Sequence, residues 1–293
     1  MFRQALALLL LGYLTSALAL PFNSRHVLVV DEGTGRVLLE KNADVTVPIA
    51  SLTKLMTAMV VLDANPDMDE PISIEEPRVT ARKRSRSRVP LGAVLPRKDV
   101  LQLALMSSDN RAAASLARTY PGGDGAFIAA VRDKLKALEM THTTIEEPTG
   151  VSSANRSTPG DLVKMAGAAA SYPDIARITT DSHDVIDING RSVEYRNTNR
   201  LVGQHGWNIL LSKTGFTSPA GRCLIMRLQS AGQTVIVVLL NAKAKSSRML
   251  DALNVRHFLA AGNTQLGQAA PTEQAEPAVR HHHVQLARSE SSS

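Results

Sequence analysis

Three short strings in this chain gather the side chains that acyl transfer needs: Ser51-Leu52-Thr53-Lys54, Ser108-Asp109-Asn110 and Lys213-Thr214-Gly215. A serine hydroxyl is a weak nucleophile until a base takes its proton. Ser51 has a lysine three residues on, which shares its face if the segment is helical. Lys54 is a base only when neutral, and a free lysine titrates near about 10.4. Burial in a cleft and a second cation, Lys213, would both push it down. At a helix start the Ser51 N–H also points at a developing oxyanion. Ser108 offers a hydroxyl to shuttle a proton to a leaving amine. Asn110 offers an amide to orient the lysine or hold a peptide. Lys213 and Thr214 on a strand would hold a carboxylate, Gly215 would leave room for substrate backbone along the edge, and the Phe216 N–H would be a second oxyanion donor.

An isolated S-x-x-K is usually a helix cap followed by a solvated charge. All three strings in this order, however, should arise by chance in fewer than about one chain in a hundred. Competing hydrolase signatures are absent, with neither G-x-S-x-G nor H-E-x-x-H in the sequence. The one cysteine, Cys223, lies inside a strand-like run and reads as core. The chemistry calls for no metal and no cofactor.

Elements able to position these residues emerge from the apolar pattern. Val27 to Val30 and Arg36 to Leu39 are strand-like and joined by Glu32-Gly33-Thr34-Gly35. Met56, Met59, Val60 and Leu62 fall at helical spacing behind Ser51. A helix over Val100 to Met106 breaks at Ser107 to Asn110 and resumes through Ala112 to Ala117. Phe127 to Leu138 and Leu162 to Ala170 read as helices, the latter capped by Ser157 or Thr158 before Pro159. Asn189-Gly190 joins Val185–Ile188 to Ser192–Tyr195 as a hairpin. Asn208 to Phe216, Cys223 to Leu228 and Thr234 to Leu240 form a meander. A helix over Ser246 to Ala261 closes the domain with Leu250, Leu253, Phe258 and Leu259 on its apolar side. Strands at both ends and helices between predict an α+β fold. One antiparallel sheet takes both chain ends, a mostly helical subdomain is inserted, and the active site lies between them.

Residues 1–19 read as a secretory signal peptide: Arg3, an apolar run over Ala5 to Leu11, and an Ala17-Leu18-Ala19 cleavage site. Later apolar runs are strand-sized, so no integral membrane segment is expected after cleavage. From Thr264 the composition turns to Gln, Ala, Pro, Glu and Ser, a disordered tail over 264–293. That leaves a catalytic domain over 20–263, with a sheet part (24–50 and 200–263) and a mostly helical part (51–199). The net charge of +6 suits an anionic polymer as partner. The basic run Arg82 to Arg88 carries no interleaved aromatics, so a solvated loop near the cleft is preferred to a nucleic-acid patch.

Beyond the three strings, the wording resembles low-molecular-mass penicillin-binding proteins of the D-alanyl-D-alanine peptidase family. The resembling stretches are Pro48 to Thr57, Arg86 to Gly92, Leu103 to Ala113, Pro148 to Met165 and Ser212 to Cys223. The resemblance implies the penicillin-recognising serine transferase fold, with a five-stranded antiparallel sheet. It implies Ser51 as acylated nucleophile, Lys54 as general base, Ser108 and Asn110 as the second catalytic element, and Lys213 on the substrate carboxylate. Peptidoglycan peptide stems would be the substrate and β-lactams covalent inhibitors. The E-x-x-L-N loop of class A β-lactamases is missing, and Glu146-Glu147-Pro148 does not match it. The stretch after Gly215 suffices only for two strands, a helix and a polar tail. That short form is similar to the endopeptidase branch, which cuts D-alanyl–meso-diaminopimelate crosslinks in the Gram-negative periplasm. A D-Ala-D-Ala carboxypeptidase, or a non-hydrolytic β-lactam sensor or wall-binding module, are the alternatives.

Overall fold

The structure is a computed structural model that describes residues 22–76, 87–230 and 232–261. The expected signal peptide, the tail and Arg82 to Arg86 of the basic run lie outside the described residues. In chain order the elements begin with β1 (His26–Asp31), β2 (Val37–Lys41), β3 (Val47–Pro48), a 3-10 turn (Ala50–Leu52) and α1 (Thr53–Asp63). Next come β4 (Pro71–Ser73), β5 (Val94–Pro96), α2 (Arg97–Leu105), α3 (Asn110–Arg118), α4 (Gly123–Ala137) and β6 (Arg156–Ser157). The second half holds α5 (Pro159–Ala170), α6 (Pro173–Thr180), β7 (His183–Ile188), β8 (Arg191–Arg196), β9 (Asn208–Thr217), β10 (Gly221–Ser230), β11 (Gln233–Ala242) and α7 (Lys245–Ala260).

The five long strands form one antiparallel sheet in the order β2-β1-β11-β10-β9, so the N-terminal hairpin joins the C-terminal meander. β1 and β11 are buried on both faces, which explains why Val27–Val30 and Val235–Leu240 read as continuous apolar runs rather than alternating ones. On one face Leu28, Val30, Ile225, Ile236 and Val238 join the core of α1 to α6. On the other, Val27, Val29, Leu224, Met226, Val237 and Leu239 pack on Ala252, Val255, Phe258 and Leu259 of α7. Asp251, fully buried, ties the chain start to this helix: its carboxylate accepts from the backbone N–H and side chains of Asn23 and Ser24. β9 is left as the edge strand, with its Lys-Thr-Gly string facing the helices.

Several expectations are refined. Thr158, not Ser157, caps α5, accepting from the Asp161 N–H at 3.2 Å. Asn189 and Gly190 both adopt positive φ (54° and 77°), as the tight turn between β7 and β8 requires. α6 was not expected. It is short and ends in Ile178-Thr179-Thr180, a β-branched run with poor helix propensity, and it is held by packing against β9. Leu250, expected on the buried side of α7, is 54 % exposed, and Leu253 is only partly buried. Phe258 and Leu259 are buried as expected, and the rest of the buried stripe is Arg248, Asp251, Ala252 and Val255, because two polar residues take interior positions for hydrogen bonds.

Candidate active site

Ser51 lies in the 3-10 turn that leads into α1, and Lys54 in the first turn of that helix. The turn is fixed from two sides. Ala50 has φ of 50°, and a Cβ on Gly150 (φ +82°) would sit 1.9 Å from the Ala50 carbonyl oxygen. A Cβ on Gly215 would stand 3.0 Å from both the Ser51 nitrogen and the Ala50 Cβ. The space left at Gly215 is therefore taken by the backbone of residues 49–51, where the sequence reading had put substrate. The consequence is that the nucleophile's N–H is pressed against the strand that carries Phe216. Ser51 makes no cap: the Thr53 hydroxyl, not that of Ser51, donates to the Ala50 carbonyl.

The Lys54 ammonium, 1 % exposed, donates to Ser51 Oγ at 3.0 Å, to Asn110 Oδ1 at 2.6 Å and to the Thr149 carbonyl at 2.7 Å. Burial lowers its pKa to about 8, against the opposing pull of the Glu147 and Asp109 carboxylates. Glu147 is the main site residue the sequence reading missed. Its buried carboxylate accepts from the backbone N–H groups of Thr149, Gly150 and Ser152, the Thr149 hydroxyl and the Asn155 amide. Asn155 also donates to Thr53 Oγ1, and Thr57 donates to the Pro148 carbonyl, so this loop is clamped to the back of α1. Its only sequence trace is the acid of Glu147-Pro148-Thr149-Gly150, which matches no catalytic carboxylate motif.

In the second string Asp109 is structural. It is the N-cap of α3, accepting from the Ala112 N–H at 3.0 Å and from the Ser87 hydroxyl at 2.6 Å. Its neighbour Ser108 is thrown into the left-handed region (φ 61°) and accepts at 2.9 Å from Lys213. Lys213, 1 % exposed, also donates to the Thr214 carbonyl. Burial drives its pKa well below the ordinary value, with further repulsion from Lys54 and Arg248. Thr214 faces the cleft and donates its hydroxyl to Thr198 Oγ1 at 2.8 Å.

These residues border a cleft of about 1220 Å³ whose lining includes Ser51, Ser108, Asn110, Thr214, Gly215 and Phe216. Lys54 and Lys213 lie behind that lining. Sequence reasoning missed several lining residues that only the tertiary fold brings in, Arg248 and Tyr195 among them. Arg248 on α7 is 6 % exposed and donates to the Cys223 carbonyl at 2.9 Å. Tyr195 on β8 has a buried hydroxyl without a hydrogen-bond partner, and Arg88 stands 4.4 Å over its ring. Arg88, the end of the basic run, thus does border the cleft. Cys223 is core as expected, its thiol pushed up to about 11 by burial.

A family model described as D-alanyl-D-alanine carboxypeptidase matches residues 14–244. Proteins named D-alanyl-D-alanine endopeptidase from Pseudomonas aeruginosa and Escherichia coli K12 are each 44 % identical over 241 residues, covering 82 % of this chain and 78 % of theirs. The ampicillin-bound crystal structure of penicillin-binding protein D2 from Listeria monocytogenes is similar with a TM-score of 0.69 and 27 % identity, over 81 % of this chain and 97 % of that one.

Proposed function

The chain belongs to the D-alanyl-D-alanine carboxypeptidase family, and from that premise we propose an exported serine peptidase that opens D-alanyl–meso-diaminopimelate crosslinks of peptidoglycan through an acyl-enzyme on Ser51. What carries the reading is the hydrogen-bond set of Lys54. Asn110 Oδ1 and the Thr149 carbonyl are acceptors only, so they engage two N–H groups of a neutral lysine and leave its lone pair for the Ser51 hydroxyl. With its pKa at about 8, a useful fraction of Lys54 is neutral near pH 7.

Lys54 takes the Ser51 proton as Oγ attacks the D-alanyl carbonyl carbon. The oxyanion rests between the Ser51 and Phe216 N–H groups. Collapse of the tetrahedral intermediate breaks the C–N bond, and the departing amine receives its proton through Ser108. Water then hydrolyses the ester and restores Ser51. Thr214 and Arg248 hold the carboxylate beside the scissile bond, with Lys213 behind them donating to Ser108. A β-lactam enters by the same route and stays as a slow-hydrolysing ester, consistent with the ampicillin complex of the Listeria relative.

Removal of residues 1–19 on export would place the enzyme in the periplasm, where its substrate lies. Among the described residues no helix is long and apolar enough to cross a membrane. The names of the 44 % identical relatives favour crosslink cleavage over carboxypeptidase activity. Digestion of purified sacculi tests the choice. Crosslinked dimers should fall and monomers rise, whereas loss of terminal D-alanine alone would make the enzyme a carboxypeptidase. Absence of any turnover would leave a sensor or wall-binding module.

A further inference from the structure

The cleft holds more positive charge than one carboxylate needs. Arg200, Arg222, Lys245 and Arg248 all line it, and none forms an ion pair among the described residues. Another lining cation, Arg196, shows the contrast, since Glu194 pairs with it at 2.9 Å. The one carboxylate in the lining, Asp109, is occupied as a helix cap.

All four groups line the same cleft, two of them held by contacts and two, Arg200 and Lys245, exposed. Lys245 has its pKa lowered by burial and then by the charges of Arg200, Arg248 and Arg222, three guanidiniums that line the same cleft. The Arg222 guanidinium stacks 3.7 Å from the centroid of Phe216, the residue after the Lys-Thr-Gly string, and its buried Nε has no partner. Arg248 is anchored on the Cys223 carbonyl. Like charges gathered without counter-charge oppose folding, and a bound anion would relieve them.

The chemistry of the leaving group says which anion. When a single D-alanine leaves, it carries one carboxylate, which Thr214 and Arg248 satisfy. When a crosslink opens, the leaving group is a whole peptide stem. Its diaminopimelate carboxylate lies beside the scissile bond, and further carboxylates are spaced along the stem. We propose that Arg200, Arg222 and Lys245 form a subsite for the leaving stem that takes a carboxylate beyond the one next to the scissile bond. The enzyme thereby selects leaving groups bearing at least two. This deepens, and rests on, the crosslink reading above.

Two synthetic crosslinked dimers test it. They share a free carboxylate beside the scissile bond and differ only in whether the remaining carboxylates of the leaving stem are free or amidated. The protein with residues 1–19 removed should cleave the free form with kcat/KM about tenfold higher, the scale of one charge-assisted contact in a half-exposed site. In the double variant Arg200→Gln, Lys245→Gln that preference should shrink to about twofold or less. Acylation of Ser51 by penicillin reports that the variant's nucleophile remains formed. Equal cleavage of both dimers by the unmutated protein overturns the subsite without any variant, and leaves crosslink cleavage standing. An undiminished preference in a variant that still acylates also overturns it. If the protein trims D-alanine from monomeric stems but leaves both dimers intact, the crosslink reading falls and the subsite falls with it.

Discussion

Lys54 concentrates the chemistry at the scale of single residues, because its protonation state decides whether Ser51 is a nucleophile. Acylation by penicillin should therefore rise with pH and level off above about 8, where the amine is neutral. Glu147 opposes burial by favouring the charged form, so removing its charge should lower the Lys54 pKa further. Glu147→Gln is expected to shift the acylation profile to lower pH. The same change puts an NH2 where the carboxylate accepted from N–H donors, which should cost about 2–3 kcal/mol of stability in a denaturant titration. A profile that stays put would mean Glu147 is only a loop anchor. Ser51→Ala should abolish penicillin labelling and change stability by less than about 1 kcal/mol, since the hydroxyl caps nothing. The reacting side chains were legible in sequence because their types and order are unusual. Glu147, Arg248 and Tyr195 were not, because each acts through contacts that only folding creates.

Among the elements, the 3-10 turn before α1 is the part most tightly specified. Gly150 and Gly215 both crowd it, the first against the Ala50 carbonyl and the Ser51 nitrogen, the second against the Ala50 Cβ and the same nitrogen. Gly150→Ala combines a left-handed φ with a 1.9 Å clash. It should lower Tm by about 5–10 °C and reduce acylation, as the turn must move away from Lys54. An unchanged Tm with full labelling would show that the turn has slack. Most helices and strands could be read from apolar spacing, and the pause between α2 and α3 from its short polar residues. What periodicity could not supply was α6, which tertiary packing holds against its β-branched sequence, or the rotation of α7 that exposes Leu250 and buries Asp251. Asp251 takes that place because the chain start, far away in sequence, needs an acceptor there.

For the whole molecule, the sheet that joins both ends of the chain sets one wall of the cleft, and the helices set the other. That the N-terminal hairpin joins the C-terminal strands in one antiparallel sheet was legible from strands at both ends with helices between. That β1 is the strand pairing β11 was not, because burial on two faces does not name a partner. From Thr264 the sequence turns to Gln, Ala, Pro, Glu and Ser and carries none of the three motif strings. A chain ending at Asn263 should thus cleave soluble muropeptides at nearly the full rate, and a large loss would assign the tail a part in the site. The central claim is that Ser51, and no other group near the cleft, carries the acyl chain. Mass spectrometry of penicillin-treated protein after proteolysis tests it most directly. One adduct, on the peptide containing Ser51 and persisting for minutes or longer, is the predicted result, whereas an adduct on Ser108 or Cys223 would contradict it.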